Sequence, residues 1–483
     1  MPAKKSITVT FSDYQAGDWA WFERTFSREA FDAFSQLSSD TNPLHHDRNY
    51  AWRSGYDDTI MPMHLTAAPL SAVAGMIFPG EASLYLSHKV RAVRPARYEV
   101  PVVYSARIES LSPGNRIFSV SCAAFQAGLP VLSADLQVQA RSDTWNGSRP
   151  DFFRMGPRSR TVGVTGASGA IGGAIARAFC SQGWNLILSG RNTKRLQELR
   201  TSLLAARSNV SVVTVAGDLS DPNGVAALAD VIRKCDDLAA LVHAASPPIE
   251  SSPATHSAIA CEALASLAAA ALPTMQRRQE GVILAIGSAA IANPQPRWEP
   301  YAAGKRALLD LINRVDREQG EFGVRALTLA PGYVCTDFSR AWFNPQTPGL
   351  LPEEVAEKAM ALVAAPPLQS FCVLLASEAD MFAGESSEGG AAPANSSVQK
   401  GDSVERQASL SSLVRRILAM PPDADIEKAA LGETAQWDSL KQIELVIAVE
   451  RAFGITFSVQ EIEAARSYAA LSNLLQEKVP QRA

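Results

Sequence analysis

The stretch that most constrains the fold of this chain is TVGVTGASGAIGGAIARAFCSQGWNLILSG, residues 161–190. Its order is a β-branched strand, a glycine-rich turn, an amphipathic helix and a second strand. Gly166, Gly169 and Gly172 let the backbone turn tightly and approach a pyrophosphate, which the N-terminus of the helix would stabilise. Many such turns only pack a helix against a strand, so the turn by itself is weak evidence of a dinucleotide site.

Three further strands follow: VSVVTVAG before GDLSD, then LAALVHAAS, then GVILAIGSAA. Strands that alternate with helices predict a doubly wound parallel sheet whose ligand lies at the carboxyl ends of the strands. Arg191 directly follows the second strand, where the adenosine ribose of a dinucleotide would lie. A cation there favours the 2′-phosphate of NADP over the hydroxyls of NAD, and a plain surface arginine is the alternative.

The next feature is Ser288, which ends the fifth strand 13 residues before Tyr301 in YAAGK. A tyrosine four residues before Lys305 places both side chains on one face of a helix. The ammonium group would lower the pKa of the phenol so that it exchanges a proton near neutral pH, and the serine hydroxyl would orient a carbonyl. A tyrosine–lysine pair at this spacing is common by chance, but its position after the serine and the glycine-rich turn is not.

On these residues the segment from 159 to about 378, with LAPGYVCT near its end, resembles the short-chain dehydrogenases/reductases, in particular 3-oxoacyl-carrier-protein reductases and polyketide ketoreductase domains. The resemblance implies that Tyr301 donates a proton, Ser288 orients the oxo group, and Lys305 holds the nicotinamide ribose. It implies NADPH as cofactor, with Asp218 near the adenine. The full expected cofactor-binding set is Gly166, Ser168, Gly169, Ile171, Gly172, Arg191, Asn192, Asp218, Leu219, Ala244, Tyr301, Lys305, Val334 and Thr336.

Two positions depart from that family. Ala170 stands in the turn where a glycine is usual, and Ala260 occupies the place of the active-site asparagine that helps to relay protons. We nevertheless expect an active reductase, because Ser288, Tyr301 and Lys305 are all present.

Length and composition limit the number of domains, the class of partner and the cellular compartment to be expected. With 483 residues it is too long for one ordinary domain, and 47% hydrophobic residues predict packed cores. A net charge of −4 gives no reason to expect nucleic acid or an anionic membrane as partner. The apolar run ACEALASLAAAALP is short and contains Glu262, which predicts a buried helix rather than a membrane span. The six cysteines are scattered without a CxxC pair, which indicates free thiols in a reducing cytoplasm.

The N-terminal segment carries a second candidate site in SDTNPLHHD. Asp40 and His45 flank an Asn-Pro turn, which can place a carboxylate and an imidazole around one water molecule, as the addition or removal of water across an activated double bond requires. A metal site formed by His45, His46 and Asp47 is the competing interpretation, but adjacent histidines usually point to different faces. We therefore expect no metal.

This segment, over nearly all of residues 10–141, resembles the hotdog fold of MaoC-like, (R)-specific enoyl-thioester hydratases and dehydratases through SDTNPLH, a long apolar helix and several antiparallel strands. The likeness implies that Asp40 and His45 are the catalytic pair and that the chain forms a homodimer. Pro95 falls at a position where the family also has a proline. Pro62–Met63 stands where the family has His-Gly, whose glycine N–H is an oxyanion donor.

The last segment, 405–480, shows helical spacing in SLSSLVRRILAM and LKQIELVIAVERAFG. Ser439, between Asp438 and Leu440, could simply cap a helix. With LGETAQWDSLKQIELVIAVERAFGITFS, however, the segment resembles acyl carrier proteins, in which the serine of Asp-Ser-Leu bears phosphopantetheine.

Together these patterns predict a multidomain α/β chain with an α+β hotdog domain, a Rossmann-type doubly wound parallel sheet and a small four-helix bundle. The expected boundaries are 1–145 for the dehydratase domain, 146–158 for a linker, 159–382 for the reductase, 383–404 for a flexible linker and 405–483 for the carrier.

The expected function is NADPH-dependent reduction of 3-oxoacyl thioesters carried on Ser439, followed by dehydration to enoyl thioesters, or the reverse hydration. A phosphopantetheinyl transferase would load Ser439, and a separate ketosynthase or acyltransferase would elongate the chain. Two alternatives remain: a reductase whose N-terminal domain only dimerises or docks substrate, and a non-catalytic scaffold.

Overall fold

The computed structural model describes residues 6–148, 151–291, 296–339, 349–367 and 369–374, together with parts of 410–478. The chain forms two compact units, Met1–Glu385 and Ser386–Ala483. The first two expected domains therefore lie within one unit. The predicted flexible linker, 383–404, lies outside the described residues.

The N-terminal domain is built around a six-stranded sheet in the order β3-β6-β5-β4-β2-β8, and every neighbouring pair in it is antiparallel. Strands β1 and β7 form a separate two-stranded sheet. The strands are β1 Ser6–Thr10, β2 Trp19–Arg24, β3 Ser83–Ala92, β4 Val102–Ser112, β5 Ile117–Gln126, β6 Leu129–Ala140, β7 Thr144–Ser148 and β8 Phe153–Met155. The helices are α1 Ala30–Ser38, α2 Arg48–Arg53, α3 Met63–Ala67 and α4 Leu70–Ala72, the last continued by a π-turn at Val73–Ile77.

The core of this domain is formed by the side chains on one face of the sheet, which are every second residue along a strand. Every second residue of β6 from Leu132 to Ala140 is buried, and these side chains share one cluster with Leu65, Leu70 and Val73 of the helical segment. A period of two is what one buried face of a sheet produces. The helical segment therefore packs on the inner face of the sheet, and edge strand β3 is mostly exposed.

Within 146–158, expected to be a linker, residues 146–148 lie in β7 and residues 153–155 form β8. Strand β7 pairs with β1, and β8 extends the main sheet by pairing with β2. At Gly156 a side chain would collide with the ring of Trp19, since an added Cβ would lie 1.8 Å from it. These two strands belong to the N-terminal domain because their backbone groups are paired there.

The middle domain contains a seven-stranded sheet in the order β11-β10-β9-β12-β13-β14-β15, parallel throughout. This confirms the predicted doubly wound sheet, whose strand order reverses next to β9. The strands are β9 Thr161–Thr165, β10 Asn185–Gly190, β11 Val212–Ala216, β12 Leu238–His243, β13 Gly281–Ile286, β14 Val324–Pro331 and β15 Phe371–Leu374. The helices are α5 Ala170–Ser181, α6 Thr193–Ala206, α7 Pro222–Arg233, α8 Pro253–Ser257, α9 Leu264–Arg278, α10 Glu299–Gln319 and α11 Pro352–Ala364.

Helices α8 and α9 are joined by a π-turn at Ala258–Ala263, giving one helical run Pro253–Arg278. Among the described residues this run alone is long and apolar enough to cross a membrane, and 56% of its most apolar window is buried inside the protein. Its buried residues, such as Leu264, Leu267 and Met275, lie in a core cluster with Ile283 of β13. It packs as a core helix of this domain.

The end of α9 and the turn after it contact the N-terminal sheet. Glu280 accepts ion pairs from Arg107 of β4 at 2.7 Å, Arg160 at 2.8 Å and the buried Arg278 at 3.4 Å. Gln279 exchanges two hydrogen bonds with Ser121 of β5, at 2.9 and 3.0 Å. These ion pairs and hydrogen bonds fix the two domains against each other.

The second unit has its own hydrophobic cluster, which includes Leu410, Val414, Trp437, Val449 and Tyr468. Trp437 donates from Nε1 to Gln442 at 2.6 Å, and Gln442 donates to the carbonyl of Ala465 at 2.7 Å. Helix α12, Tyr468–Lys478, contributes Tyr468 to this cluster. The four-helix bundle stays a prediction, and Ser439 lies outside the described residues.

We predict that Glu280→Gln lowers the free energy of unfolding by about 3 kcal/mol, because it leaves guanidinium groups without their carboxylate. Burial alone would raise the pKa of Glu280, but Arg107, Arg278 and Arg160 outweigh it and hold the pKa below its usual value. A depressed folded-state pKa means that this stabilisation is present above the ordinary carboxyl range and is lost as the pH falls through the folded-state value.

Urea denaturation of the wild type and the variant should therefore differ at neutral pH and converge in acid. Asp143→Asn, which removes an exposed carboxylate paired with Arg116 at 3.5 Å, is the control and should leave the midpoint unchanged. Equal midpoints for the wild type and Glu280→Gln would show that the cluster does not stabilise the junction.

Candidate active site

The glycine-rich turn between β9 and α5 is held by two close backbone contacts. Gly166 has a φ of +69°, and an added Cβ there would lie 2.8 Å from the backbone nitrogen of Ala245. A Cβ on Gly172 would lie 2.3 Å from the carbonyl oxygen of Gly166. Gly169 begins the helix, and no side chain caps its free N–H groups. The turn thus brings an uncapped helix N-terminus to the sheet edge, where an anion is favoured.

The residues after the next two strands lie beside this turn. A Cβ on Gly190 would meet the Ser168 hydroxyl oxygen at 2.5 Å, so Ser168 rests on the end of β10. Arg191 lies 4.0 Å from Asp218, and both side chains are substantially exposed. The backbone N–H and the hydroxyl of Ser220 donate to Asp218 and, with Arg191, lower the pKa of Asp218 although partial burial opposes them. The guanidinium and the carboxylate therefore lie together at the edge where an adenosine would bind.

The other predicted cofactor residues lie in three places around the sheet edge. Asn192 caps α6 by accepting from the Arg195 N–H at 3.0 Å, and Leu219 is buried in the core. Val334 and Thr336 lie beyond β14, where the Ser339 hydroxyl donates to the Val334 carbonyl at 2.5 Å and contacts the Thr336 hydroxyl at 3.1 Å. Ile171 and Ala244 are partly buried beside the glycine-rich turn. The assignment of these residues to the cofactor stays a prediction.

Ser288, Tyr301 and Lys305 come together as predicted. The Ser288 oxygen accepts from the Ala290 N–H at 3.2 Å, and a hydrogen bond joins Ser288 to the phenol of Tyr301. Lys305 donates from Nζ to the carbonyl of Ile286 at 2.8 Å and lies 5.7 Å from the centre of the Tyr301 ring. A hydroxyl, a phenol and an ammonium group therefore converge at the carboxyl end of β13.

The electrostatics of this trio differ from the expectation in one respect. Burial raises the pKa of Tyr301, opposed only by the hydrogen bond from Ser288, and burial lowers the pKa of Lys305 to about 8. Burial outweighs the Ser288 hydrogen bond, so the Tyr301 pKa shifts upward, opposite to the expected lowering. Loss of solvent dominates both groups.

Two buried histidines beside this trio escaped the sequence analysis. His256 packs edge-on against the Tyr301 ring at 5.7 Å, and His243 ends β12 fully buried. The sequence could have indicated His243, because it is the one polar residue of the otherwise apolar strand LAALVH. Ala260, the departure noted above, lies buried in the π-turn between α8 and α9.

In the N-terminal domain the structure brings Asp40 and His45 together. His45 Nε2 lies 3.7 Å from Asp40, and its Nδ1 bonds to the carbonyl of Ile60 at 2.8 Å. Asp40 accepts from the Asn42 N–H at 3.1 Å, and Asn42 accepts from the Leu44 N–H at 3.0 Å. The separation is too long for a direct hydrogen bond, so a polar substrate atom could lie between the two groups.

The start of helix α3 lies next to this pair. Met61 donates its N–H to Ala96 at 2.8 Å, and Pro62 and Met63 follow as the cap and first residue of α3. His46 contacts the Thr41 carbonyl at 3.3 Å, so the two adjacent histidines bind different partners. Within the described part of the chain no group of three His, Cys, Asp or Glu side chains could hold a metal ion.

Comparison with known proteins matches residues 160–347 to the short chain dehydrogenase family model. A sulfoacetaldehyde reductase 2 of Chromohalobacter salexigens is 30% identical over 221 residues, which are 41% of this chain and 86% of that protein. A very-long-chain 3-oxoacyl-CoA reductase of Caenorhabditis briggsae is 29% identical over 200 residues, which are 38% of this chain and 63% of that protein. This chain spans 60 to 63% of the length of the first curated relatives that it matches.

Among solved structures, a 3-oxoacyl-(acyl-carrier-protein) reductase of Agrobacterium tumefaciens with NADP bound is 28% identical. It has a TM-score of 0.41 and covers 46% of this chain and 95% of its own.

We predict that Gly172→Ala destabilises the protein by about 1–3 kcal/mol, because its Cβ would overlap the Gly166 carbonyl and neither backbone can move away. Gly169→Ala is the matched control, since its Cβ would lie 3.3 Å from the same oxygen and needs only a small adjustment. Thermal unfolding followed by circular dichroism distinguishes them. Equal melting temperatures for the two variants would contradict the close packing described for this turn.

Proposed function

We propose that this chain, which belongs to the short-chain dehydrogenase family, is an NADPH-dependent reductase of 3-oxoacyl thioesters. The observation that carries the proposal is the convergence of Ser288, Tyr301 and Lys305 at the sheet edge that also holds the glycine-rich turn. The 3-oxoacyl-CoA reductase among the relatives supports the substrate class.

The residues present fit a dinucleotide. The uncapped N-terminus of α5 suits the pyrophosphate, and Arg191 suits the 2′-phosphate of NADPH. When bound, NADPH supplies a hydride to the carbonyl carbon. Tyr301 gives its phenolic proton to the carbonyl oxygen, Ser288 orients that oxygen, and Lys305 stabilises the tyrosinate that results. The product is a 3-hydroxyacyl thioester, for which we propose the (3R) configuration.

A second activity is favoured by the Asp40–His45 pair in the N-terminal domain, for which we propose the MaoC-like hotdog assignment. Because His45 Nδ1 donates to the Ile60 carbonyl, its Nε2 faces Asp40 with a lone pair. The pair would take the α-proton of a 3-hydroxyacyl thioester and return a proton to the departing hydroxyl, so that water leaves and an enoyl thioester forms. The reverse reaction is hydration.

Two further parts of the proposal concern partners. We propose that Ser439, once loaded by a phosphopantetheinyl transferase, carries the acyl chain and that a separate ketosynthase or acyltransferase extends it in fatty acid or polyketide-like biosynthesis. We also propose a homodimer through strand β3, whose unpaired edge exposes Leu84 by 48% and Leu86 by 45%.

We predict that the wild type, loaded with a 3-oxoacyl pantetheine and given NADPH, gains the mass of two hydrogens and then loses one water. Tyr301→Phe should slow the reduction by about 100-fold or more, because the proton donor is removed. Intact mass spectrometry of the carrier follows both steps. Tyr50→Phe, a conservative change at an exposed tyrosine of the N-terminal domain, is the control. A wild type that leaves the oxo group unreduced would refute the reductase proposal.

We predict that Asp40→Asn stops the loss of water while the reduction continues, because the amide cannot accept or return a proton. Asp57→Asn, at an almost fully exposed carboxylate, is the control and should dehydrate normally. If the wild type stops at the 3-hydroxyacyl product, the N-terminal domain is a dimerising or docking module. If Asp40→Asn dehydrates at the wild-type rate, the assignment of the pair is wrong.

A further inference from the structure

One buried histidine joins the loop that follows β12 to the ring of Tyr301. His256 lies on α8 with 2% of its surface exposed. Its Nε2 lies 3.2 Å from the carbonyl oxygen of Ile249, and its ring meets the Tyr301 ring with centroids 5.7 Å apart at an angle of 76°. A carbonyl oxygen can only accept, so Nε2 carries the imidazole proton and donates it. The same imidazole therefore contacts both the loop of residues 244–252 and the proposed proton donor.

The helix that carries Tyr301 can approach His256 closely because it has a glycine at the crossing. An added Cβ on Gly304 would lie 3.0 Å from the Cβ of His256, which is tighter than ordinary van der Waals contact. Gly304 lies three residues after Tyr301, so the two positions share one face of α10. A larger residue at this position would push α8 away from that face. The sequence of α10 thus leaves room for the imidazole to reach the phenol ring.

The loop also brings an apolar side chain to the reacting groups. Ile249, Trp298 and Tyr301 are buried together in a small cluster, and Ala290 packs against it. The Ala290 N–H donates to the hydroxyl of Ser288, so the cluster adjoins both Ser288 and Tyr301. It forms separately from the two large core clusters of the domain. A 3-oxoacyl thioester whose oxo group reaches the serine and the tyrosine therefore meets apolar side chains that suit its alkyl part.

The hydrogen bond from His256 restricts the conformations of this loop. Within the loop the Ser251 N–H donates to the Pro248 carbonyl at 3.0 Å, and the bond from His256 links Ile249 to α8. Removal of the imidazole donor would leave the Ile249 carbonyl without this bond, and the loop would gain other conformations. A substrate that binds against Ile249 would then have to restrict them again, which weakens its binding.

We propose that His256 is a positioning residue of the reductase site with two separable contacts. Its Nε2–H holds the loop of residues 244–252, and with it Ile249, as one wall of the region that binds the acyl chain. Its ring holds the Tyr301 ring in place for proton transfer. The first contact sets the affinity for the acyl thioester, and the second sets the rate of the chemical step. This role rests on the proposed reductase function and adds the region that binds the alkyl part of the substrate.

Two single substitutions separate these contacts. His256→Phe keeps an aromatic ring against Tyr301 but has no donor for the Ile249 carbonyl, whereas His256→Gln keeps a donor near the position of Nε2 but has no ring. We expect His256→Phe to raise KM for a 3-oxoacyl pantetheine about 10-fold, with kcat within about threefold of the wild type, because the wall is no longer held. We expect His256→Gln to lower kcat about 10-fold, with KM within about threefold of the wild type, because the phenol is misplaced.

Two further variants act as controls. His256→Leu, which keeps neither contact, should show both changes, and His64→Gln, at an exposed histidine of α3, should show neither. Circular dichroism checks that each variant is folded. A histidine with a merely structural role would change kcat and KM alike in His256→Phe and His256→Gln, and that result would overturn the proposal. So would a wild-type KM in His256→Phe or a wild-type kcat in His256→Gln.

Hydrogen–deuterium exchange of the unliganded protein tests the bond to Ile249 without any substrate. The backbone amides of residues 249–252 should exchange about 10-fold faster in His256→Phe than in the wild type, and within about threefold of the wild-type rate in His256→Gln. Unchanged exchange in His256→Phe would overturn the proposal. A wild type that reduces no 3-oxoacyl thioester would refute the proposed function, and the exchange rates would still decide whether His256 holds the loop.

Discussion

The close approach of Gly166 to the backbone of Ala244 and Ala245 is the contact on which the candidate active site depends. An added Cβ at Gly166 would lie 2.8 to 2.9 Å from these atoms, so the turn after β9 and the end of β12 can approach this closely only through glycine. These two strands are neighbours in space, although β10 and β11 lie between them in the sequence. The contact therefore lies at the carboxyl ends of β9 and β12, between which the strand order reverses. This is the position where parallel sheets bind ligands.

Three buried polar side chains of this unit are each held by a specific partner. Lys305 is held by the Ile286 carbonyl, Arg278 by Glu280, and His243 by Thr165. Because burial shifts each pKa toward the neutral form, these partners decide which groups stay charged. Glu280 stays ionised beside several guanidinium groups, whereas His243 beside Lys305 stays neutral.

The reductase site was largely predictable because its residues follow local rules. A glycine-rich turn after a strand, and a tyrosine four residues before a lysine, are short-range patterns that the parallel sheet gathers at one edge. The direction of the Tyr301 pKa shift differed from the prediction, because burial of a phenol cannot be read from the spacing of residues.

The sequence by itself determined the alternation of strands and helices in the middle domain, its doubly wound parallel sheet and the grouping of Ser288, Tyr301 and Lys305, because these follow from local patterns of the chain. Only the tertiary structure showed that residues 146–148 and 153–155 lie in strands of the N-terminal sheets, that Glu280 joins two domains, and that the His243 ring contacts the Thr165 hydroxyl. Each of these features unites residues far apart in the sequence. Their contacts depend on how sheets and helices pack, and no local pattern encodes that packing.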